Sequence, residues 1–358
     1  MNIFLTGSTG FLGGKLIRNL LLNHEHEVYL LVRNVEKAEK LRDTFPIADQ
    51  NRIHIFKGDI TFLNGGLQDD EIHRLKGKID TIYHLAALVK FDLHLRDEIF
   101  AANYDGTKNI LDLALALNVK KFFYVSTAYT VGKEHIGIEE LYPIDNRVHN
   151  PYEESKVKSE HLVYSYQKHF DVSIFRPAII VGDSKTGEAD SSFTLYGFMR
   201  ALDLFKRKLA RGKELKKAYR LVAAKDGTSN IVPVDYVANI LSLAPEKAKR
   251  NTIYHITNPN PPTNFQLLQL LKDALQFHQL SVVEDIGYYK LDKMEERLNS
   301  MVEVFNVYLT RNLTFNDDNT KQLIQGTNIP HLFMTDEMIK RIIFAGVPNR
   351  RELIAFSG

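Results

Sequence analysis

The chain has 358 residues, a formal net charge of +2, and apolar and charged fractions of 44% and 25%. These suit a globular protein with room for one large domain or two ordinary ones. It has no cysteine, which excludes disulfides, thiolate catalysis and cysteine-bound zinc or iron–sulfur clusters. The near-neutral charge offers no field suited to nucleic acid, and no apolar run approaches the ~18 residues needed to span a bilayer.

Residues 2–6 are mostly apolar and predict a buried strand that opens the chain with no basic region ahead of it, so a cytoplasmic protein is expected. Gly7, Gly10 and Gly13 follow, and Leu16, Ile17 and Leu20 to Leu22 then suit a helix. The glycines therefore sit where a strand turns into a helix, the context of a dinucleotide site. Gly7 allows the tight turn, Gly10 lets backbone approach a pyrophosphate, and Gly13 lets helix pack on strand. The free N–H groups of the helix N-terminus then face the anion.

Val28 to Val32 is a second buried strand, followed by Arg33, with no carboxylate before Glu36. In dinucleotide folds an acidic residue there bonds a ribose 2′-hydroxyl, whereas an arginine favours a 2′-phosphate. NADP(H) is therefore expected over NAD. Val35 to Thr44 suits a short charged helix, His54 to Lys57 a third strand closed by Gly58-Asp59-Ile60, and Thr81 to His84 a fourth strand followed by Leu85-Ala86-Ala87. The small alanines leave room for a ligand against backbone, and Asp59 is placed either to accept from an adenine amino group or to make a turn. Ala102 to Asn118 predicts one long helix, Lys121 to Ser126 a fifth strand and Val172 to Phe175 a sixth. Alternating strands and helices predict an α/β fold with a doubly wound parallel Rossmann sheet.

From about residue 183 the character changes. Asp183 to Ser192 reads as a polar loop, and Phe193 to Arg211 as an amphipathic helix. Phe198, Met199, Leu202 and Phe205 form a stripe that is a core face or the lining of an acyl channel. The cations from Lys206 to Arg220, including Lys213 and Lys216, form a solvated face or a dock for an acidic carrier protein or the phosphates of coenzyme A. Thr252 to Thr257 predicts a strand; Phe265 to Phe277, Leu291 to Glu303 and Met338 to Phe344 suit helices. Residues 1–182, with 231–257 returning to them, are read as the dinucleotide-binding domain, and 183–230 with 258–358 as a smaller, mainly helical substrate-binding region.

Three residues carry candidate chemistry. Tyr152 and Lys156 stand four apart at a helix start, so they share one face. An ammonium beside a phenol stabilises the phenolate, which is expected to draw Tyr152 from about 10 towards neutrality as an acid/base. Thr127 follows the fifth strand, at the sheet edge where open α/β sheets bind ligands, and its hydroxyl suits a carbonyl on which charge develops. The histidines show no metal-ligand spacing, so no metal is expected. Ser126 faces the core or caps a turn, and His84 reads as a packed strand-end residue.

The sequence resembles the extended short-chain dehydrogenase/reductases in TGSTGFLG, GDI at 58–60, HLAA at 84–87, Asn103, STA at 126–128, the Tyr152/Lys156 pair, Arg176-Pro177 and VPVDYVA at 232–238. The resemblance implies catalytic roles for Thr127, Tyr152 and Lys156, with Asn103 positioning the lysine through water. It implies cofactor contacts at Gly7, Ser8, Thr9, Gly10, Phe11, Leu12, Gly13, Arg33, Asp59, Ile60, Leu85, Ala86, Ala87, Tyr152, Lys156 and Pro177. Arg33 after LLV, VSTAYTVG, NPYEESKVKSE, RPAIIVGDSKTGE and the late YLTRNLTFNDDNT resemble the thioester reductase and fatty acyl-CoA reductase branch. That implies reduction of an acyl-CoA or acyl-carrier thioester to an aldehyde, or on to an alcohol, by a monomer or homodimer. Two alternatives stand beside it. One is a carbonyl reductase or nucleotide-sugar epimerase or dehydratase; the other is a non-catalytic NADP-binding regulator.

Overall fold

The computed structural model describes residues 1–189, 195–212, 217–224, 226–284, 290–303 and 312–347. Seven strands form its main sheet: β1 (Asn2–Thr6), β2 (Glu27–Val32), β3 (Ile53–Lys57), β4 (Thr81–His84), β5 (Lys121–Val125), β6 (Asp171–Pro177) and β7 (Thr252–Ile256). Their order is β7-β6-β5-β4-β1-β2-β3, and every pair is parallel. Parallel strands are covered on both faces, which is why they read as near-continuous apolar runs; Phe4, Ile82, Phe122 and Ile174 are all fully buried. Strand order reverses between β1 and β4, and ligands of such sheets bind in the crevice at that switch. The register aligns Thr6 with His84 and His84 with Tyr124. One row of polar side chains therefore crosses three strands just below the crevice.

The helices begin and end for local reasons. Helix Pro151–Ser165 starts at Asn150, whose side chain accepts from the Glu153 N–H at 3.0 Å, with proline in the first turn. Helix Gly106–Leu117 stops at Asn118, which takes the left-handed conformation with φ of 59°. The long helix expected over Ala102 to Asn118 begins earlier and is not uniform. An α-helical turn, Arg96–Phe100, leads into a π-helical turn, Ala101–Asp105, and then into the α-helix. Apolar periodicity starts at Ile110, so it carries no trace of the widened turn upstream.

The chain divides into two compact units. The first holds Met1–Ala178, Val234–Thr257 and Phe315–His331; the second holds Ile179–Pro233, Asn258–Thr314 and Leu332–Gly358. The return to the sheet thus begins at Val234, because Ile231–Pro233 pairs with Ile179–Val181 inside the second unit. Phe315–His331, read from sequence as part of the substrate region, packs with the first unit.

Within the second unit, helix Leu195–Arg211 buries Leu195, Phe198, Met199, Leu202, Phe205 and Leu209. Phe205 meets Tyr219 edge-on at 5.7 Å, beside a parallel pair of strands, Tyr219–Val222 and Leu280–Val283. The apolar stripe is therefore a core face. Phe193, Lys213, Lys216 and the first residues of YLTRNLTFNDDNT lie outside the described residues.

Candidate active site

The loop after β1 has the shape its glycines require. Gly7 has φ of +73°, and a Cβ there would lie 2.7 Å from the Ala86 nitrogen; one at Gly13 would lie 2.7 Å from the Ser8 Cα. Both neighbours are backbone, so neither position accepts a side chain without displacing the chain. The Gly10 N–H donates to the Gly7 carbonyl at 3.1 Å, and helix Phe11–Leu21 starts with no side-chain cap. Its first N–H groups therefore remain available to an anion.

A cleft of about 420 Å³ opens at this loop. Gly7, Thr9, Gly10, Arg33, Asp59, Ile60, Leu85, Ala86 and Ala87 all line it, joined by Lys37. A second depression of about 650 Å³ shares Arg33 and Asp59 and adds Lys57 and Arg74. Ser8, Phe11, Leu12, Gly13, Tyr152, Lys156 and Pro177 do not line the cleft. Ser8 and Gly13 are buried beneath the loop, and Pro177 pairs with Ile256 at the end of β6. Asp59 also makes the turn expected of it, its carboxylate accepting from the Thr61 N–H at 2.9 Å.

Thr127 caps the short turn Ala128–Val131, its hydroxyl oxygen accepting from the Tyr129 N–H at 3.3 Å. Accepting there leaves the hydroxyl its own hydrogen to donate. Ser126 faces the interior, its hydroxyl buried without a hydrogen-bond partner among the described residues.

Tyr152 packs edge-on against Phe91 at 5.9 Å. Lys156 is 2% exposed. Its ammonium donates to the Tyr124 hydroxyl at 3.1 Å and to the Val125 carbonyl at 2.9 Å, and no described hydrogen bond joins it to Tyr152. This corrects the electrostatic expectation. Burial, with Glu153 adding to it, raises the Tyr152 phenol well above its usual value. Burial lowers the lysine instead, to about 7, with Glu160 opposing. Helical spacing put the pair on one face, but the acceptors on β5 claim the ammonium.

Asn103, in the π-helical turn, clasps the loop after β4. Its side-chain carbonyl accepts from the Leu88 N–H at 2.7 Å, while its amide donates to the Leu88 carbonyl at 3.1 Å and to the Ser155 hydroxyl at 3.0 Å. The loop edging the cleft is thereby tied to the helix that carries Tyr152 and Lys156.

Three features escaped the sequence reading, at His84, Arg176 and Tyr124. His84 is a packed strand-end residue, as expected, but it also bridges Thr6 and Thr107, at 2.7 and 3.1 Å. Burial and the Lys156 charge lower it to about 3. Arg176, quoted in sequence as a motif match, is fully buried and pairs with Glu160. A tyrosine between apolar residues late in a buried strand was the available signal for Tyr124. Four of the six described cations of the basic run beyond residue 205 are engaged within their own unit. Lys206 donates to the Leu275 carbonyl, and Arg207, Lys217 and Arg220 pair with Asp203, Asp292 and Glu295.

Residues 5–241 match the family described as male sterility protein. A linear gramicidin synthase protein of Brevibacillus parabrevis is 32% identical over 324 residues, covering 85% of this chain and 6% of that protein. The fatty acyl-CoA reductase wat of Drosophila melanogaster is 27% identical, over 70% of this chain and 54% of that protein. The chain thus spans a small part of the first relative and about half of the second. The crystal structure of the terminal R domain from the myxalamid PKS-NRPS biosynthetic pathway superposes with a TM-score of 0.75 at 26% identity, covering 96% of this chain and 89% of that one. A glycine loop at the switch point, a Tyr/Lys helix tied through Asn103 to the loop that edges the same cleft, and a family match running from β1 into the helix after Pro233 agree with one another: the chain belongs to the male sterility protein family, the thioester-reductase branch of the extended short-chain dehydrogenase/reductases.

Proposed function

We propose that this chain reduces an acyl thioester to an aldehyde with NADPH. The observation that carries the reading is the position of Thr127 and Tyr152 at the ends of β5 and the 151–165 helix, in the unit that holds the dinucleotide cleft. The relatives support the substrate class, since one is named a fatty acyl-CoA reductase and another a linear gramicidin synthase.

The cleft residues fit a dinucleotide. The uncapped N–H groups after Gly10 suit a pyrophosphate. Arg33, exposed at the end of β2, suits a 2′-phosphate, and Lys37 lines the same cleft. When bound, the nicotinamide supplies a hydride to the acyl carbon. Thr127 donates to the carbonyl oxygen as it gains negative charge. Tyr152, protonated at neutral pH, donates a second hydrogen bond to the same oxygen. Lys156 fixes the local charge and geometry. The alkoxide then collapses, the carbon–sulfur bond breaks, and the thiolate leaves with coenzyme A or a carrier. With one proton taken up by the thiolate, the products are an aldehyde, a thiol and oxidised cofactor; reduction of the aldehyde to the alcohol takes a second NADPH, with Tyr152 giving the proton to the oxygen.

No helix among the described residues is long and apolar enough to cross a membrane; the reading is of a cytoplasmic enzyme that takes its thioester from coenzyme A or a carrier protein. The test is NADPH oxidation against acyl-CoA, acyl-carrier, aldehyde and nucleotide-sugar substrates, with products identified. Tyr152→Phe is expected to cut thioester turnover by about 10²–10⁴-fold while cofactor still binds, the usual cost of losing an oxyanion donor or a general acid. Turnover of a nucleotide sugar but no thioester, or a near-normal rate in Tyr152→Phe, overturns the reading.

A further inference from the structure

We propose that Tyr124 is a positioning residue for Lys156: its hydroxyl, with the Val125 carbonyl beside it, sets where the lysine ammonium stands. This rests on the reading of Tyr152 and Lys156 as the reacting pair.

The residue choice in β5 is informative. Phe122, Phe123 and Tyr124 are consecutive and all but completely buried. A phenylalanine would fill the third position with the same ring and without a hydroxyl to desolvate, and burying a hydroxyl is unfavourable unless it is bonded. This hydroxyl is bonded. It accepts from the Lys156 ammonium at 3.1 Å, with the Ser159 and Thr107 hydroxyls alongside. The ammonium also lies 4.6 Å from the centre of the Tyr124 ring. Two consecutive residues of one strand thus supply the lysine with a phenol oxygen, a backbone carbonyl at 2.9 Å and an aromatic face. Cations seek all three.

Tyr124 is itself fixed. It stacks on His84 at 5.8 Å, and Thr107 bridges to His84 from the helix above. The ionisable groups around the ammonium are few. Tyr124 comes from β5 and His84 from β4, while Tyr152 and Glu160 share the lysine's own helix. Arg176 of β6 acts through Glu160. The 106–117 helix contributes Thr107, which does not ionise. Tyr124 is the ionisable side chain among these that touches the ammonium.

Removing the hydroxyl takes away one of two oxygen acceptors and disfavours the charged lysine. In Tyr124→Phe, the Lys156 side-chain resonance, followed by NMR in the cofactor-free full chain and assigned by its loss in Lys156→Met, should titrate about one pH unit lower. The melting temperature should change little, because the ring remains. The alkaline limb of thioester reduction should move down by the same amount, so that activity falls about ten-fold at pH 8 and little at pH 6. A folded Tyr124→Phe with an unmoved Lys156 midpoint overturns the proposal, since a purely structural tyrosine would not alter that titration. If Tyr124→Phe does not fold, the coupling is read from the other side: Lys156→Met should shift the Tyr124 ring-carbon resonance at neutral pH, and an unshifted resonance overturns it. The NMR midpoints need no turnover, so failure of the thioester reading and failure of this one are distinguishable.

Discussion

Arg176 of β6 and Glu160 of the 151–165 helix meet as a buried two-point pair, with nitrogen–oxygen distances of 2.8 and 2.6 Å. The same guanidinium donates to the carbonyls of Ile138 and Glu140. It therefore ties the helix carrying Tyr152 and Lys156 both to the sheet and to the segment that follows β5. Breaking a buried pair from one side leaves an uncompensated charge, which typically costs about 3–5 kcal/mol. Glu160→Gln should lose that much in urea unfolding. It should also lower Lys156 further, because the Glu160 charge supports the ammonium. A loss below about 1 kcal/mol would mean that Arg176 finds solvent instead.

Arg33→Ala should weaken NADPH binding by about 1.5–3 kcal/mol, the range for hydrogen bonds to a charged group, and leave NADH nearly unchanged. Calorimetric titration of both cofactors decides it. Equal weakening would show that Arg33 does not read a 2′-phosphate.

Gly13→Ala places a methyl group against the backbone of Gly7 and Ser8. Neither can retreat as a side-chain tip would, so a destabilisation of about 1–3 kcal/mol is expected, the usual range for overpacking. Thermal melting and cofactor titration together should show both stability and affinity reduced. Unchanged values in both would mean that the loop shifts freely.

Lys156 links stability to pH. Burial lowers it from 10.5 to about 7. Between those values the unfolded chain binds a proton that the folded chain does not, so stability should rise with pH across that window, by at most about 1.4 kcal/mol per pH unit. Lys156→Met should flatten this slope in urea titrations at pH 7, 8 and 9. At the acid end His84 and His255, both lowered to about 3, act in the same direction. Folded they stay neutral, so stability should fall as pH drops from 6.5 towards 3. A slope on the alkaline side that survives Lys156→Met would assign it elsewhere.

The sheet was legible because strands covered on both faces leave unbroken apolar runs, and β1, β2 and β4 begin and end within a residue of their expected positions. The glycine loop was legible because crowding at Gly7 and Gly13 admits no other residue. What stayed hidden depends on neighbours distant in the chain. The Thr6–His84–Tyr124 row is set by register between strands, which local patterns do not encode. The partners of Lys206 and Arg220 lie well over sixty residues away, so a basic run looked free when four of its six described cations are engaged. Tyr152 and Lys156 are proposed from their spacing. The direction of the tyrosine's pKa was misread because spacing shows neither the burial of the phenol nor which acceptors on β5 hold the ammonium.

The widened turn at Ala101–Asp105 makes this region sensitive to length rather than to composition. An α-helix advances about 100° per residue. Deleting one residue from the π-helical turn would restore an ordinary helical ladder, with no side chain of Asn103, Thr107 or Ser155 changed. It would also rotate everything before the turn by that angle relative to everything after it. Asn103 could not then reach Leu88 and Ser155 while Thr107 still met His84. An indel that looks silent by residue type would uncouple the cleft-edge loop from the Tyr152 helix, whereas many substitutions on the exposed face of the same helix would leave both in place.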